Sequence, residues 1–207
     1  MTYRILAINP GSTSTKFAVY DGENQILSKT LNHSVEELSK FNCIMDQFEM
    51  RKNEIENILK ENNIELKTIN AIVGRCGGLP PVKSGAYFIN DEMIDRLTNR
   101  PTLDHASNLG AMISYSIAKE IGVDSYIYDP VSVDESGDIA KVSGLKGLDR
   151  VCLTHTLNTR AMAIKYAKQH NKNYKDLNLI VAHLGGGISL NVHEKGKMVD
   201  FVSDEEG

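Results

Sequence analysis

The sequence predicts an α/β protein of two related lobes that share one ligand. The first observation behind this is a pattern that occurs twice. Ile5-Leu6-Ala7-Ile8-Asn9-Pro10 is an apolar run leading into Gly11-Ser12-Thr13-Ser14-Thr15-Lys16, after which Phe17-Ala18-Val19-Tyr20 and Asp21-Gly22 close the unit. Leu179-Ile180-Val181-Ala182-His183-Leu184 leads in the same way into Gly185-Gly186-Gly187-Ile188-Ser189, followed by Leu190-Asn191-Val192 and Lys195-Gly196. The second observation is register: Asn9 and His183, Gly11 and Gly185, and Gly22 and Gly196 are each 174 positions apart. The third is loop composition, because glycine-rich loops present successive backbone N–H groups to an anion. Two such strand–loop–strand units imply a nucleotide gripped at its phosphates from both sides.

At 207 residues the chain is long enough for one or two domains with a buried core. Its hydrophobic share of 41% and charged share of 24% are those of an ordinary globular protein. A net charge of −4 with no Lys/Arg run argues against nucleic acid or an anionic membrane as partner. Cys43, Cys76 and Cys152 are widely spaced, which suits a reducing compartment and gives no zinc pattern. The first apolar run is too short for a signal segment, and no stretch approaches a membrane span. The expected location is the cytoplasm.

Residues 3 to 9 read as a strand apolar on both faces, hence central in a sheet. Residues 16 to 21 and 25 to 31 read as two more strands, joined by the turn signal Asp21-Gly22-Glu23-Asn24. A long helix is expected over residues 34 to 61, with Ser34 and Glu37 as a capping box and Leu38, Phe41, Ile44, Met45, Phe48, Ile55, Ile58 and Leu59 on its apolar face. Residues 69 to 73 read as a short strand entering the Gly/Pro-rich loop Gly74-Arg75-Cys76-Gly77-Gly78-Leu79-Pro80-Pro81, and residues 85 to 89 as another. Asp104 to Ile121 reads as a helix with Asp104 as N-cap and Gly122 past its end. Ser125 to Tyr128 is a brief strand, residues 134 to 148 are broken by Gly137, Gly144 and Gly147, and Leu157 to Gln169 is a helix. The second glycine hairpin, whose first strand reads as buried, and a strand at Met198 to Val202 complete the expected elements. The division expected is a first lobe over residues 1–150 and the start of a second over 151–207, so that the chain reads as the front part of a longer protein with an apolar sheet face and an open edge unsupported.

The first loop offers backbone donors, hydroxyls from Ser12, Thr13, Ser14 and Thr15, the Asn9 amide and the Lys16 cation, a set suited to phosphate oxygens and to water around Mg²⁺. It lacks the Gly-Lys-Ser/Thr of a P-loop, and a strand follows it, not a helix. Alone it reads as a polar hairpin turn; its echo 174 residues on favours phosphate binding. The three glycines after His183 and Leu184 let a ligand approach the backbone, at a cost in chain entropy, where a bulge or barrel corner is the plainer alternative. Arg75, at a strand end in a glycine loop, can grip a carboxylate or phosphoryl group bidentately or can be a surface arginine. His105 at the start of a helix, Asp129 at the end of a strand and His155 before a helix are further candidates, although a lone histidine is more often structural or exposed. His33, His170 and His193 read as surface residues, and Asp204-Glu205-Glu206 as a solvated terminus.

Ile8-Asn9-Pro10-Gly11-Ser12-Thr13-Ser14-Thr15-Lys16 closely resembles the opening signature of the acetokinase family, and Ala182-His183-Leu184-Gly185-Gly186-Gly187-Ile188-Ser189 its second signature. Val73-Gly74-Arg75, His105-Ala106-Ser107-Asn108-Leu109-Gly110, Tyr128-Asp129-Pro130 and His155-Thr156-Leu157-Asn158 are similar to its members as well, so the resemblance covers essentially the whole chain. Pro10, Gly186 and Thr159 stand where the acetate-type members carry Ala, Asn and His, which favours the butyrate-type branch. The resemblance implies an actin-like ATPase fold of duplicated ribonuclease-H-like lobes and Mg²⁺-dependent transfer of the ATP γ-phosphoryl to butyrate or a related short-chain carboxylate, releasing an acyl phosphate and ADP. It implies that Asn9 contacts phosphate or metal-bound water, Arg75 binds the acyl carboxylate and the moving phosphoryl, and His105 lines the acyl side. It implies likewise that Asp129 orients the metal or the attacking carboxylate and that His155 stabilises the transition state. Gly11, Ser12, Thr13, Ser14 and Lys16 would hold ATP phosphates from one loop, and His183, Gly185, Gly186 and Gly187 from the other. Asn9 and Asp129 would hold the metal through water. Members of the family are homo-oligomers.

Two residues depart from the family pattern: Cys76 where Gly is expected and Thr154 where Phe is expected. The family's second arginine, its metal-binding glutamate and most of the adenosine pocket are expected beyond Gly207, so the chain by itself is expected to have little kinase activity. The other readings are an acetate or propionate kinase, a non-catalytic actin-like nucleotide-binding module, and an inert fragment. Arg75, His105, Asp129 and His155 occurring together argue against the non-catalytic module.

Overall fold

A computed structural model describes residues 2–185 and 187–203. Gly186 and the acidic run Asp204-Glu205-Glu206 lie outside the described residues. The chain divides into two compact units, Met1–Leu79 with Ala86–Tyr128, and Pro80–Gly85 with Asp129–Gly207.

Unit 1 is built on a six-stranded mixed sheet. Its first three strands are β1 (Arg4–Pro10), β2 (Ser14–Asp21) and β3 (Asn24–Asn32). β4 (Ala71–Gly74), β5 (Ala86–Phe88) and β6 (Asp124–Tyr128) complete it, in the order β3-β2-β1-β4-β6-β5. β1, β4 and β6 run parallel, and the other pairings are antiparallel. The expected hairpin between β2 and β3 is present, with Gly22 at φ +61°, where glycine carries no Cβ penalty. β1 buries Leu6 and Ile8 on one face and keeps Ile5 and Ala7 half-buried on the other, as a strand between two neighbours should.

Helices α1 (Val35–Leu38), α2 (Phe48–Glu61), α3 (Asp91–Asn99) and α4 (Asn108–Ile121) flank this sheet. Ile55 and Leu59 of α2 and Leu109, Ile113 and Ile117 of α4 pack with Leu6, Ile8, Phe17, Val19 and Ile72 into one core. A second cluster joins Leu97 of α3 to Cys76, Leu79, Ile89, Ala111 and Ile127.

Three expectations about helices need correction. The single helix over 34–61 is two helices: α1 ends after one turn, and the Asp46 carboxylate then accepts from the amides of Asn42 and Cys43, which offers the backbone an alternative to helical bonding. Ser34 does cap α1, accepting from the Glu37 amide at 3.1 Å. The helix expected from Asp104 begins instead at Asn108. Asn108 donates to the Leu103 carbonyl and accepts from Gly78, which holds residues 103–107 in a separate turn. Helix α3 was not foreseen, although Asn90 caps it by accepting from Met93 at 2.8 Å and Asp91 and Glu92 lie in its first turn.

Unit 2 carries α5 (Thr156–Gln169) on an antiparallel meander of β7 (Asn178–Leu184), β8 (Ile188–Glu194) and β9 (Lys197–Ser203). β7 starts and ends 174 positions after β1, and Gly196 repeats Gly22 with φ +86°, so the sequence echo is an echo in backbone structure. β7 is not the buried strand expected. Ile180 and Leu184 are each 76% exposed, because α5 covers only the opposite face. The buried side is mixed: Ser189, Asn191 and His193 of β8 lie fully buried alongside Met198 and Phe201 of β9. His193 and His33 are thus interior residues and not surface ones, the former bonded to the Tyr174 hydroxyl at 2.7 Å, the latter to Thr15 at 2.9 Å.

The break between units falls at residues 128/129, where the sequence reading divides at 150/151. Residues 129–150 join unit 2 through pairing and packing. Val82 donates its amide to the Ser132 carbonyl and accepts from the Asp134 amide, Cys152 bonds the Val133 carbonyl, and Arg150 reaches Asp200 and the Phe201 carbonyl. Among the described residues no helix is long and apolar enough to cross a membrane.

Candidate functional site

In unit 1 the candidate residues gather at the carboxyl ends of β1 and β4. Asn9 is opposite Lys16 across the β1–β2 ladder, and both side chains are exposed. Arg75 follows β4, its amide fixed by the Ile8 carbonyl at 2.8 Å and its guanidinium 3.4 Å from the Asn9 amide oxygen. Burial pushes Arg75 below its ordinary value, although a guanidinium stays charged at any physiological pH. Two cations and an amide thus share one rim, an arrangement that can hold an anion. Ser12 and Thr13 are exposed in the loop between the strands. The Gly11 N–H is engaged within that loop, donating to the Ser14 carbonyl at 2.7 Å.

The Arg75 loop sits against α4 because two glycines permit it. A Cβ on Gly74 would lie 2.2 Å from the Gly110 carbonyl oxygen, and one on Gly110 would lie 2.3 Å from that of Arg75. No other residue allows this approach, which sets the start of α4 beside the loop. His105 lies in the turn before α4. Its Nδ1 accepts from the Ser107 amide at 3.1 Å and meets the Ser107 hydroxyl at 2.9 Å. Beside Arg75, burial pushes the Cys76 thiol up to about 12, so it is an inert packing group.

The residue that shapes the first loop was missed by sequence reasoning. Arg51 of α2 is fully buried. It donates to the carbonyls of Gly11 at 2.9 Å, Ser12 at 3.2 Å and Ser14 at 3.1 Å, and to the Thr15 hydroxyl at 2.9 Å. Gln47 accepts from its Nε and Nη2 at 3.1 and 2.8 Å. Every guanidinium proton is engaged, and the loop is strung on them. An arginine in a helix with ordinary surface patterning carries no mark of this in the sequence.

In unit 2 two candidates meet directly. The imidazoles of His155 and His183 stack with centroids 3.9 Å apart and planes 6° from parallel. His155 Nδ1 lies 2.8 Å from the Ser189 hydroxyl, and His183 Nδ1 lies 3.1 Å from Asn158 Oδ1, an oxygen that only accepts. Asn191, fully buried, donates to Thr154 and Thr159 and so braces the start of α5 beneath the stack. In the second glycine loop the Gly185 N–H donates to the Gly187 carbonyl at 3.1 Å, two residues on where Gly11 reaches three. A Cβ on Gly185 would lie 3.0 Å from His183 Nε2. The candidate Gly186 is outside the described residues.

Asp129 is buried and left-handed, at φ +40°. Its carboxylate accepts from the Ser84 hydroxyl and the Gly85 amide at 2.8 Å each and pairs with Arg160 Nε at 2.8 Å. Arg160 in turn holds Glu135 at 2.5 Å and the Gly196 carbonyl at 3.2 Å. Asp129 is therefore one member of a buried ion network within unit 2 whose hub is Arg160, and Arg160 and Glu135 are members that the sequence did not announce.

No family model matches the chain. Butyrate kinase 1 of Clostridium acetobutylicum is 49% identical over 205 residues, which is 99% of this chain and 58% of that protein. A probable butyrate kinase of Clostridium botulinum is 48% identical over all 207 residues, again 58% of its length. The chain therefore spans somewhat over half the length of the curated relatives it matches. Among solved structures, the acetate kinase of Entamoeba histolytica superposes with a TM-score of 0.68 at 18% identity, covering 97% of this chain and 55% of that one. A propionate kinase from Francisella tularensis gives 0.67 at 19%, covering 97% and 57%. These structures share the α/β actin-like ATPase fold. About half the residues are shared along the whole length of the chain, which is thus similar to the butyrate kinases of these two clostridia.

Proposed function

We propose that the protein is a butyrate kinase, moving the γ-phosphoryl of ATP to the carboxylate of butyrate or a similar short-chain acid to give butanoyl phosphate and ADP. The observation that supports this most is the 49% identity to a butyrate kinase along the whole chain. In this reading Arg75 grips the acid and the moving phosphoryl, His105 lines the acyl side, and His155 offsets charge that develops during transfer. Asn9, Gly11, Ser12, Thr13, Ser14 and Lys16 hold phosphate oxygens, as do His183, Gly185, Gly186 and Gly187. In-line transfer asks for placement and charge neutralisation more than covalent chemistry, which is what such a donor set supplies.

The hard oxygen donors suit Mg²⁺, which when bound neutralises charge on the phosphates. Asn9 is exposed, while the Asp129 oxygens are held by Ser84, Gly85 and Arg160. Each is a candidate to hold the ion through water. The same reading proposes a cytoplasmic homo-oligomer with a small carboxylate as substrate.

Trapping acyl phosphate as the hydroxamate tests the reading on the natural polypeptide that carries this chain, with ATP, Mg²⁺ and acetate, propionate, butyrate or isobutyrate. Four-carbon acids should react fastest, by a modest margin, because a methylene contact is worth only ~1–3 kcal/mol. Arg75→Ala should lower turnover by about a hundredfold or more. ATP binding with no hydroxamate from any acid would replace the kinase with a non-catalytic nucleotide-binding module. The 207-residue chain alone, at 58% of the relatives' length, is proposed to form little acyl phosphate. Turnover close to that of a full-length relative would overturn that second point.

A further inference from the structure

His33 carries an unmet requirement. It follows β3, is 4% exposed, and is fixed from two sides: its amide donates to the Thr13 carbonyl at 2.9 Å and its Nε2 lies 2.9 Å from the Thr15 hydroxyl. The other ring nitrogen, Nδ1, is buried and makes no hydrogen bond. It faces Glu37 Oε2 at 3.8 Å and Glu54 Oε2 at 3.7 Å, both beyond hydrogen-bond reach. Glu54 Oε2 is itself buried without a hydrogen-bond partner. A polar atom in that state costs roughly 1–3 kcal/mol unless something satisfies it.

A proton on Nδ1 is a poor answer. Burial and the nearby Arg51 push His33 below its ordinary value, which favours the neutral ring. Thr15 Oγ1 already accepts from Arg51, and it can accept a second proton from Nε2, which leaves a bare lone pair at Nδ1. Burial and the neighbouring Glu37 push Glu54 up, so a cation between the two carboxylates would relieve both. A divalent ion answers all of these at once, because it takes the lone pair and neutralises the two acids.

We propose that His33 Nδ1, Glu37 and Glu54 form a divalent transition-metal site of the zinc type, completed by water. The three ligand atoms lie within 4.8 Å of one another. Two bonds of ~2.1 Å at a tetrahedral angle separate their ligand atoms by about 3.4 Å, so each glutamate needs only a few tenths of an ångström toward His33 Nδ1, and the two half-exposed glutamates at most about 1.4 Å toward each other. The glutamate side chains are 37% and 36% exposed, which gives the ion a route in and room for water. One imidazole with two carboxylates is a donor set for Zn²⁺ or a similar ion. The Nε2–Thr15 contact matches the outer hydrogen bond that orients a ligating histidine. The ion would tie α1 and α2 to the end of β3, where His33 bonds Thr15 of the Gly11–Lys16 segment, and it is independent of the phosphotransfer proposed above.

The test is Zn²⁺ alone titrated calorimetrically into the metal-free 207-residue chain, with Co²⁺ absorption as a second readout. One saturable equivalent is expected, with a rise in melting temperature as metal is added. Glu37→Gln and Glu54→Gln, both at half-exposed positions that leave the core intact, should each weaken binding roughly tenfold or more and change the Co²⁺ spectrum. His33→Gln should abolish it. Absence of saturable binding, or binding and Co²⁺ spectra unchanged in both glutamate variants, would overturn the site.

Discussion

Replacing Arg51 with methionine keeps the aliphatic stem and removes the guanidinium. Six hydrogen bonds disappear, to the carbonyls of Gly11, Ser12 and Ser14, to Thr15 Oγ1, and two to Gln47 Oε1. The three loop carbonyls are part-buried, so water can reach them and their loss costs little. Gln47 Oε1 is buried and loses both of its donors, which costs about 1–3 kcal/mol, while Thr15 Oγ1 keeps His33 Nε2 as a partner. With the lost bonds themselves, the expected loss is roughly 2–4 kcal/mol, a large part of the ~5–15 kcal/mol that holds a domain together. Urea denaturation of the 207-residue chain followed by circular dichroism measures it. Amide exchange at Ser12 to Thr15 should quicken in parallel, because the loop loses the group that ties its carbonyls. Arg51→Lys should recover less than half, since one ammonium on a flexible stem cannot reach the loop and Gln47 together. A methionine variant within ~1 kcal/mol of the parent, with unchanged loop exchange, would refute the claim that Arg51 shapes the loop.

Gly110→Ala should destabilise by roughly 1–3 kcal/mol or more, because its Cβ would lie 2.3 Å from the Arg75 carbonyl and the ~1 kcal/mol gain in helix propensity cannot offset backbone overlap. Gly137→Ala is the control: nothing lies within 4 Å of its added Cβ, so thermal melts should show no loss. His193 is fully buried, and burial, with Arg160 nearby, pushes it down to about 4 from 6.5. A depressed histidine binds its proton more readily when unfolded, so its contribution of about 3 kcal/mol is whole above pH 6.5 and drains away as pH falls toward 4. Urea midpoints measured across that range should fall steeply in the parent and less in His193→Gln; parallel curves would contradict this assignment.

Local patterning made much of this molecule legible. The two glycine hairpins with their shared 174-residue register, the Ser34 cap and α5 follow from side-chain period and turn chemistry within a few residues of one another. The candidate residues were legible as types in motifs, and Arg75 does stand beside Asn9. What the chain order hides is which distant groups meet. The Gly74–Gly110 contact, the Arg51 ties to the first loop, the His155–His183 stack and the Asp129–Arg160–Glu135 network each join segments between 25 and 40 positions apart that carry no mutual signal. His33 and His193 show the same limit, since a histidine in a polar stretch becomes interior only when packing removes its water. Sequence alone determined the strands, the loops and the family resemblance, because backbone period and turn residues act over a few positions. Tertiary structure alone decided which polar groups are buried and what satisfies them, because desolvation depends on every neighbour that the fold brings near.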